Sequence, residues 1–162
     1  MSIPKIIHYC WFGGGPISPE NRKCMESWKK YCPDYKIMAW NEQNFDISTN
    51  RYAQQAYAAK KYAFVSDYVR LAVLYEYGGI YLDTDVELVR PLDELLEYKG
   101  FIGMEHSAPS PYGRTLLVNT GSGVGAEPGC GMIGKMLAAY RNAAFIQETG
   151  EPDLRTCTQR DT

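Results

Sequence analysis

This chain is organised around one stretch, Gly78-Gly79-Ile80-Tyr81-Leu82-Asp83-Thr84-Asp85-Val86-Glu87-Leu88-Val89. Two glycines end a helical pattern, and the apolar run that follows them is typical of a short buried strand. The run leads into Asp83 and Asp85, which are two residues apart. Because side chains alternate across a strand, we expect both carboxylates to point to the same side of a sheet.

Two carboxylates at the carboxyl end of a strand are hard oxygen ligands, and they predict a site for Mg²⁺ or Mn²⁺. Open α/β sheets bind ligands at this end of their strands, which favours that interpretation. An Asp-x-Asp triplet is also common in solvated turns, so the alternative is an exposed turn that binds no metal. The Gly-Gly break and the Tyr-Leu pair that precede the acids favour the metal site.

Composition indicates one ordinary globular domain. The chain has 162 residues, of which 45% are hydrophobic and 22% charged, so it can form a real core. Its net charge of −2 argues against a nucleic-acid partner. The five cysteines are odd in number and lack the spacing of a zinc site, so we expect reduced thiols in a cytoplasmic protein. No signal peptide or transmembrane stretch is predicted, which leaves peripheral association with the inner face of a membrane open.

Strand and helix patterns alternate along the chain. Strands are predicted at residues 3–12, 35–40, 80–86, 101–104 and 116–118, and a glycine-rich stretch follows at 119–125. Helices are predicted from residue 19 to before Pro33, over 53–77 in two pieces that meet near Lys60-Lys61, and over 91–96 and 130–144. Residues 43–52 are expected to form a loop. This alternation predicts an α/β layer fold with a mainly parallel sheet.

Three further residues stand where a ligand could bind. Trp11 ends the first strand and precedes Gly13-Gly14-Gly15, a loop that lets a ligand approach the backbone. The alternative for Trp11 is an ordinary core aromatic. Asp67 and Arg70 are three apart and therefore neighbours on a helix. Their alternative is an exposed ion pair that contributes under about 1 kcal/mol.

The segments Ile6–Gly13, Ser66–Arg70 and Gly78–Asp85 occur in an order that resembles glycosyltransferase family 32. This group of sugar transferases carries a DXD motif and includes capsular polysaccharide and initiating mannosyltransferases. The resemblance covers residues 3–105 well and is looser beyond them. It implies a GT-A fold, in which helices flank a Rossmann-like sheet, together with a nucleotide-sugar donor, a divalent metal and retention of the anomeric configuration.

The resemblance also implies roles for individual residues on the donor side. Trp11 corresponds to the aromatic that stacks on the donor base. Asp67 and Arg70 correspond to the pair that holds the sugar hydroxyls and the phosphate. Tyr81 is expected to line the donor site, and Asn119 is a candidate for the sugar or acceptor side.

The same resemblance assigns the metal site to the Asp-x-Asp triplet. Asp83 is expected to face the ribose, the sugar and the metal, and Asp85 to coordinate Mn²⁺ or Mg²⁺ directly. With Arg70, these two aspartates are the expected catalytic residues. A metal bridging the two phosphates would stabilise the charge that grows on the departing nucleoside diphosphate.

The implied function is a metal-dependent retaining hexosyltransferase. It would move a hexose from a UDP- or GDP-sugar to a glycan or lipid-linked glycan, in polysaccharide or lipopolysaccharide synthesis. One alternative is a phosphatase of the haloacid dehalogenase type, which also ends a strand in Asp-x-Asp. That class places the motif near the N-terminus and has Thr or Val where this chain has Glu87.

A second alternative is a catalytically incomplete module that only binds a sugar nucleotide. Members of the resembled family usually continue for several tens of residues and supply further donor contacts there. We therefore expect residues 1–146 to form the nucleotide-sugar-binding catalytic domain. Residues 147–162 are expected to be a polar tail that starts a missing C-terminal segment.

Overall fold

The computed structural model describes residues 3–106 and 116–161, and for His106 and Leu116 the backbone alone. The predicted domain, residues 1–146, and the predicted tail, residues 147–162, both include residues outside these ranges, among them Thr162. A five-stranded sheet forms the centre of the molecule, in the spatial order β2-β1-β3-β5-β4. Its strands are β1 (Ile6–Cys10), β2 (Lys36–Trp40), β3 (Gly79–Tyr81), β4 (Gly100–His106) and β5 (Leu116–Ala126).

The sheet is mixed but mainly parallel, as predicted, because β1 to β4 run in one direction and β5 runs against them. β1 pairs in parallel with β2 and β3, whereas β5 pairs antiparallel with both β3 and β4. Parallel neighbours need a crossover between them, which α1 and the α2–α3 pair provide. β4 and β5 follow one another with no helix between them in the described residues, so they pair as antiparallel neighbours.

Helices cover both faces of the sheet. They are α1 (Pro19–Tyr31), α2 (Arg51–Ala58), α3 (Tyr62–Tyr77), α4 (Gly131–Ala139) and α5 (Cys157–Asp161), with 3₁₀ turns at Ile47–Thr49 and Asp93–Glu97. α1 begins as predicted: the Ser18 hydroxyl accepts a hydrogen bond from the backbone N–H of Asn21, and Pro19 is the first helical residue. The predicted division of 53–77 is also confirmed, because Lys60 adopts a left-handed φ of 57° between α2 and α3. No helix in the described ranges has the length and apolar character to cross a bilayer.

Several segments differ from the predicted elements: the predicted strand 80–86 ends at Tyr81, the predicted helix 91–96 is a 3₁₀ turn, and the predicted helix 130–144 ends at Ala139. Residues 43–52 contain a 3₁₀ turn and the start of α2, where the Asn50 side chain caps the helix. The glycine-rich stretch 119–125 belongs to β5, because pairing with β3 and β4 compensates for the poor strand propensity of glycine. A short helix, α5, occurs in the segment after Gln147 that showed no periodicity.

Two buried clusters lie on opposite faces of the sheet. Ile7, Ile80 and Trp28 belong to the cluster beneath α1. The larger cluster contains Tyr81 and residues of α2, α3 and α4. Ile80 and Tyr81 are consecutive in β3, so their division between the clusters follows the alternation of a strand. This arrangement buries α3 against the sheet and brings its polar residues to the carboxyl ends of β1 and β3.

Candidate functional site

A cleft of about 380 Å³ opens at the carboxyl ends of β1 and β3. This is where open α/β sheets bind their ligands. Its walls come from the end of β1, the first turn of α1, the first half of α3 and the turn after β3. The lining residues are Cys10, Trp11, Phe12, Asn21, Tyr62, Ala63, Ser66, Arg70, Asp83, Thr84 and Asp85.

Arg70 forms the floor of this cleft. Its side chain is 4% exposed, and its guanidinium Nη2 lies 3.0 Å from Asp67 Oδ1 and 3.4 Å from Asp83 Oδ1. Nε donates to the backbone carbonyl of Ser66, and the guanidinium carbon lies 4.8 Å from the centre of the Tyr81 ring. The pair formed by Asp67 and Arg70 is therefore buried, and the alternative of an exposed ion pair is wrong.

Asp67 is held in an environment that favours its protonated form. Burial raises the pKa of this carboxyl to about 6, because the loss of hydration outweighs the opposing charge of Arg70. The nearby carboxylates of Asp161 and Asp83 act in the same direction as burial. At neutral pH Asp67 still carries a negative charge and remains paired with Arg70.

Asp83 and Asp85 do not lie in a strand. This corrects the prediction that the alternation of side chains in a strand brings both carboxylates to the same side of the sheet. β3 ends at Tyr81, and the backbone N–H of Val86 donates to the carbonyl of Asp83 to close a turn. Asp83 is half-buried, with a side chain 38% exposed, and its Oδ1 also accepts a hydrogen bond from Tyr81. Asp85 is exposed, and its carboxylate has no hydrogen bond or ion pair to any described residue.

Trp11 stands at the rim of the cleft. It is half-buried and belongs to neither buried cluster, so the structure excludes the core-aromatic alternative. Its indole N–H donates to the carbonyl of Gly15, 2.6 Å away, which holds the ring against the glycine loop. Glu42 fixes the start of that loop by accepting a hydrogen bond from the backbone N–H of Gly13.

Tyr81 and Asn119 lie away from the open cleft. Tyr81 is 1% exposed and sits behind Arg70 and Asp83, touching both. The Asn119 amide donates to Glu105, and its carbonyl oxygen accepts from the backbone of Gly121 and Ser122. In this structure Asn119 therefore shapes the bulged pairing of β4 with β5 and contacts no cleft-lining residue through these bonds.

The structure adds residues that sequence reasoning missed. Thr120 is fully buried and accepts a hydrogen bond from Arg70 Nη1, 3.1 Å away. A side chain at Gly121 would overlap the carboxylate of Asp83, so the close approach of β5 requires glycine there. Both residues lie in the glycine-rich stretch, whose pairing with β3 had no local signal. Thr84 is also buried, and its hydroxyl accepts from the side-chain amide of Asn21.

To hold a divalent cation, the polar groups of the cleft need further coordinating atoms from water or from a bound substrate. The described residues contain no group of three or more His, Cys, Asp or Glu side chains that could hold a metal ion. Among the described residues that line the cleft, Asp83 and Asp85 alone offer carboxylate oxygens. This fits Mg²⁺-like sites, in which one or two carboxylates, waters and substrate phosphates share the coordination.

The comparisons with known proteins agree with this geometry. A family model described as "Glycosyltransferase sugar-binding region containing DXD motif" matches residues 18–102. Inositol phosphoceramide mannosyltransferase 3 of Schizosaccharomyces pombe is 34% identical over 131 residues, which is 72% of this chain and 33% of the relative. A toxin of Photorhabdus asymbiotica is 30% identical over 152 residues, covering 73% of this chain and 5% of the toxin. The chain thus spans about a third of the mannosyltransferase's length.

Solved structures give the same result for the fold. The PaToxG glycosyltransferase has a TM-score of 0.69 and 25% sequence identity, over 98% of this chain and 69% of that chain. A mutant transferase of known structure shares the fold with a TM-score of 0.55 at 9% identity, over 99% of this chain and 84% of that one. The predicted GT-A fold is confirmed. Since the family model covers more than half of the residues, this chain belongs to the glycosyltransferase family whose sugar-binding region contains the DXD motif.

Proposed function

We propose that this chain transfers a hexosyl group from a nucleoside-diphosphate sugar to an acceptor, with retention and with the help of Mn²⁺ or Mg²⁺. The observation that carries the proposal is the buried Arg70, held between Asp67 and Asp83 at the floor of a cleft whose rim bears Asp85. A fixed, partly desolvated guanidinium is suited to a group that gains negative charge during the reaction. The departing diphosphate is such a group.

Each neighbouring residue has a task that follows from its contacts. Arg70 would bind a diphosphate oxygen, because guanidinium N–H groups match phosphate geometry. Asp67 uses one oxygen for Arg70 and has its other oxygen available for sugar hydroxyls. Trp11 would stack on the nucleotide base, since its ring is half-buried and anchored by the Gly15 carbonyl. Asn119 would contact the sugar or the acceptor only after a rearrangement of its hydrogen bonds to Glu105, Gly121 and Ser122.

The charge balance of the cleft supports the need for a metal. Among the described lining residues, Arg70 is the one permanent cation, against the carboxylates of Asp83 and Asp85. Asp67 adds a further negative charge behind Arg70. A diphosphate would meet a net negative cleft, and this repulsion is relieved when a divalent cation enters with it.

Asp85 would coordinate that cation directly, and Asp83 would face the metal and the donor sugar. When bound, the metal acts as a Lewis acid on the diphosphate. Tyr81 supports the arrangement from behind, because its hydroxyl fixes Asp83 Oδ1 and its ring lies against Arg70. These residues orient the donor and leave the nucleophile to the acceptor.

The relatives narrow the substrates that we propose. Three similar proteins of Schizosaccharomyces pombe are named inositol phosphoceramide mannosyltransferases. Their names favour a mannosyl or related hexosyl group, a GDP- or UDP-linked donor and a lipid-linked or glycan acceptor for this chain. A role in polysaccharide or lipopolysaccharide synthesis, in the cytoplasm or at the inner face of a membrane, is part of the same proposal.

The substitution Asp85→Asn tests the proposal with the least risk to the fold. Asp85 is exposed and makes no bond to a described residue, so its loss should leave the melting temperature unchanged. We expect Mn²⁺-dependent binding of UDP or GDP to weaken more than tenfold, since a direct metal ligand is lost. Isothermal titration calorimetry with and without EDTA measures the effect, and hydrolysis of radiolabelled sugar nucleotides measures turnover.

Glu87→Gln is the matched control, because Glu87 is an exposed carboxylate two residues further along. It should bind both diphosphates as the unmodified chain does. Equal affinity for Asp85→Asn and the unmodified chain, each with Mn²⁺, would contradict the metal assignment. Diphosphate binding without any turnover would instead favour the binding module over the enzyme.

A further inference from the structure

Residues 153–161 return to the cleft from the far end of the chain. α5 packs on β5, and the Asp161 carboxylate reaches the buried Thr120 beside Arg70. The polar composition of residues 147–162 predicts a tail that starts a missing C-terminal segment. The contacts instead place the Asp161 carboxylate behind Arg70, which forms the floor of the cleft.

Arg160, which forms an ion pair with Asp153 inside the segment, anchors the segment to two tyrosine rings outside it. Arg160 lies 2.7 Å from Asp153, and the two side chains are 9% and 7% exposed. The Arg160 guanidinium also lies over the rings of Tyr52 and Tyr140, at 4.8 and 5.4 Å. Hydrogen bonds from Arg155, against the effect of burial, hold the pKa of Asp153 well below its usual range. The segment is therefore fixed to α2 and to the end of α4 rather than resting loosely on the surface.

A chain of three polar groups connects the anchored segment to the cleft. Arg70 Nη1 lies 3.1 Å from the Thr120 hydroxyl, and that hydroxyl lies 3.0 Å from Asp161 Oδ2. Thr120 is fully buried, so water does not compete for these bonds. In a buried position each such bond is strong and its loss is costly.

The direction of these hydrogen bonds follows from the groups themselves. A guanidinium only donates, so the Thr120 oxygen must accept from Arg70. Its single hydrogen is then free to donate to the Asp161 carboxylate, which accepts. Asp161 thereby turns the hydroxyl lone pairs toward Arg70 and strengthens the acceptor that Arg70 meets.

We propose that Thr120 and Asp161 are positioning residues, through which the segment 153–161 sets the orientation of the Arg70 guanidinium for the donor diphosphate. This inference rests on the donor-binding function proposed above. A guanidinium has five N–H donors, and the contacts to Ser66, Thr120, Asp67 and Asp83 use four of them. The remaining N–H, the second one on Nη1, has no partner among the described residues. Because Thr120 binds the other N–H of Nη1, it sets the direction in which the remaining one points.

The first experiment measures diphosphate binding. UDP and GDP are titrated with Mn²⁺ into the full chain carrying Thr120→Val, Asp161→Ala, or both, with Thr120→Ser as the conservative variant. We expect each single variant to weaken binding about tenfold, and the double variant to cost no more than one single change, because both remove the same connection. Thr120→Ser should restore binding, since it keeps the hydroxyl.

Matched controls separate positioning from general destabilisation. Glu151→Gln changes an exposed carboxylate two residues before the segment and should leave binding unchanged. Melting curves give the folded fraction of each variant, and affinities are compared per folded molecule. A variant that melts early but binds normally when folded would show a structural role alone and would overturn the inference.

The second experiment needs no ligand. Proton–nitrogen spectra of the guanidinium groups report whether the Arg70 Nη groups are held or rotate freely, and Arg70→Lys identifies the signals. We expect restricted Nη signals in the unmodified chain, and their averaging in Thr120→Val and Asp161→Ala but not in Thr120→Ser. Unchanged signals in the first two variants would overturn the inference.

The two experiments together keep the two proposals apart. If Arg70→Ala abolishes diphosphate binding while the Thr120 and Asp161 variants bind like the unmodified chain, the positioning role is wrong and the donor site stands. If the unmodified chain binds neither UDP nor GDP with Mn²⁺, the proposed function fails. The spectra of Arg70 then decide alone whether Asp161 acts on it through Thr120.

Discussion

Asp67 and Arg70 illustrate what the identity of a residue can and cannot predict. Their spacing predicts a neighbouring pair on a helix, and the structure confirms it at 3.0 Å. The spacing does not distinguish an exposed pair from a buried one. A signal was nevertheless present, because α3 carries Val65, Val69 and Leu71 around these residues and is apolar on nearly all sides. A helix of that kind is buried, and its charged residues are then buried with it.

Trp11 gives a prediction at the same scale. Trp11→Ala should weaken UDP or GDP binding by about 1–3 kcal/mol, the usual effect of losing a stack between a base and an aromatic ring. Trp11→Phe should recover much of this loss, because an aromatic face remains. Calorimetric titration of both diphosphates measures the affinities, and tryptophan fluorescence of the unmodified chain should change on binding.

Melting curves provide the control for Trp11. Removing a core tryptophan costs about 3–5 kcal/mol of stability, but Trp11 is half-buried and outside both clusters. We therefore expect only a small change in melting temperature for Trp11→Ala. A large loss of stability with unchanged diphosphate affinity would show that Trp11 supports the fold and does not stack on a base.

At the scale of elements, the turn after β3 depends on α1. The Asn21 side-chain amide in the first turn of α1 donates to the hydroxyl of Thr84, 2.8 Å away. Thr84 lies between the two aspartates and is 7% exposed, so this bond fixes the residue that separates Asp83 from Asp85. A helix remote in sequence thus holds the turn that we propose to bind the metal.

This contact predicts that Asn21→Ala and Thr84→Val each weaken Mn²⁺-dependent diphosphate binding by about 1 kcal/mol, the usual value of one hydrogen bond. Isothermal titration calorimetry of the two single variants and the double variant tests it. If the contact acts on the turn, the double variant loses no more than either single one. Lys23→Ala, on the exposed part of α1, is the control. Additive losses would indicate instead that Asn21 contacts the ligand itself.

Elements with local signals were predicted best. The cap of α1 and the break before α3 follow from residues next to one another in sequence, and both are confirmed. The glycine-rich part of β5 and the helix α5 were missed because their stability comes from remote partners. Val124 and Gly125 lie in a strand because β3 and β4 pair with them, and α5 forms where Arg160 meets the rings of Tyr52 and Tyr140.

At the scale of the whole molecule, the site depends on contacts that span most of the chain. Gln55 on α2 accepts hydrogen bonds from the backbone N–H groups of Phe145 and Ile146, some 90 residues further along. The three motifs predicted Trp11, Arg70 and the aspartates at one edge of the sheet, and the cleft brings them together. No motif could place Thr120 and Asp161 there, because their positions follow from the folded chain.

His8 links β1 to Gly78, at the start of the stretch that contains Asp83 and Asp85. Its Nδ1 accepts a hydrogen bond from the Trp40 indole on β2, so Nε2 carries the proton and donates to the carbonyl of Gly78 before β3. Burial lowers the pKa of His8 below its usual 6.5, and the positive charge of Lys36 adds to this effect. The neutral ring is therefore the form that fits the fold.

A pH dependence of stability follows from that lowered pKa. Below pH 6.5 the unfolded chain protonates His8 before the folded chain does, so the unfolded state binds more protons and stability falls with pH. Between pH 7.5 and 5.5 we therefore expect this residue to lower the free energy of unfolding. Urea unfolding monitored by circular dichroism measures it.

His8→Gln isolates the contribution of His8 from those of other titrating groups. Asp67, whose pKa is raised to about 6, acts in the opposite sense, since its protonation stabilises the folded chain as the pH falls toward 4. Asp67 is present in both proteins, so its effect cancels in the difference between the two stability profiles. The His8→Gln variant should be less stable at pH 7.5 and should lose less stability on acidification. Parallel profiles for the two proteins would show that His8 is not buried as the neutral ring.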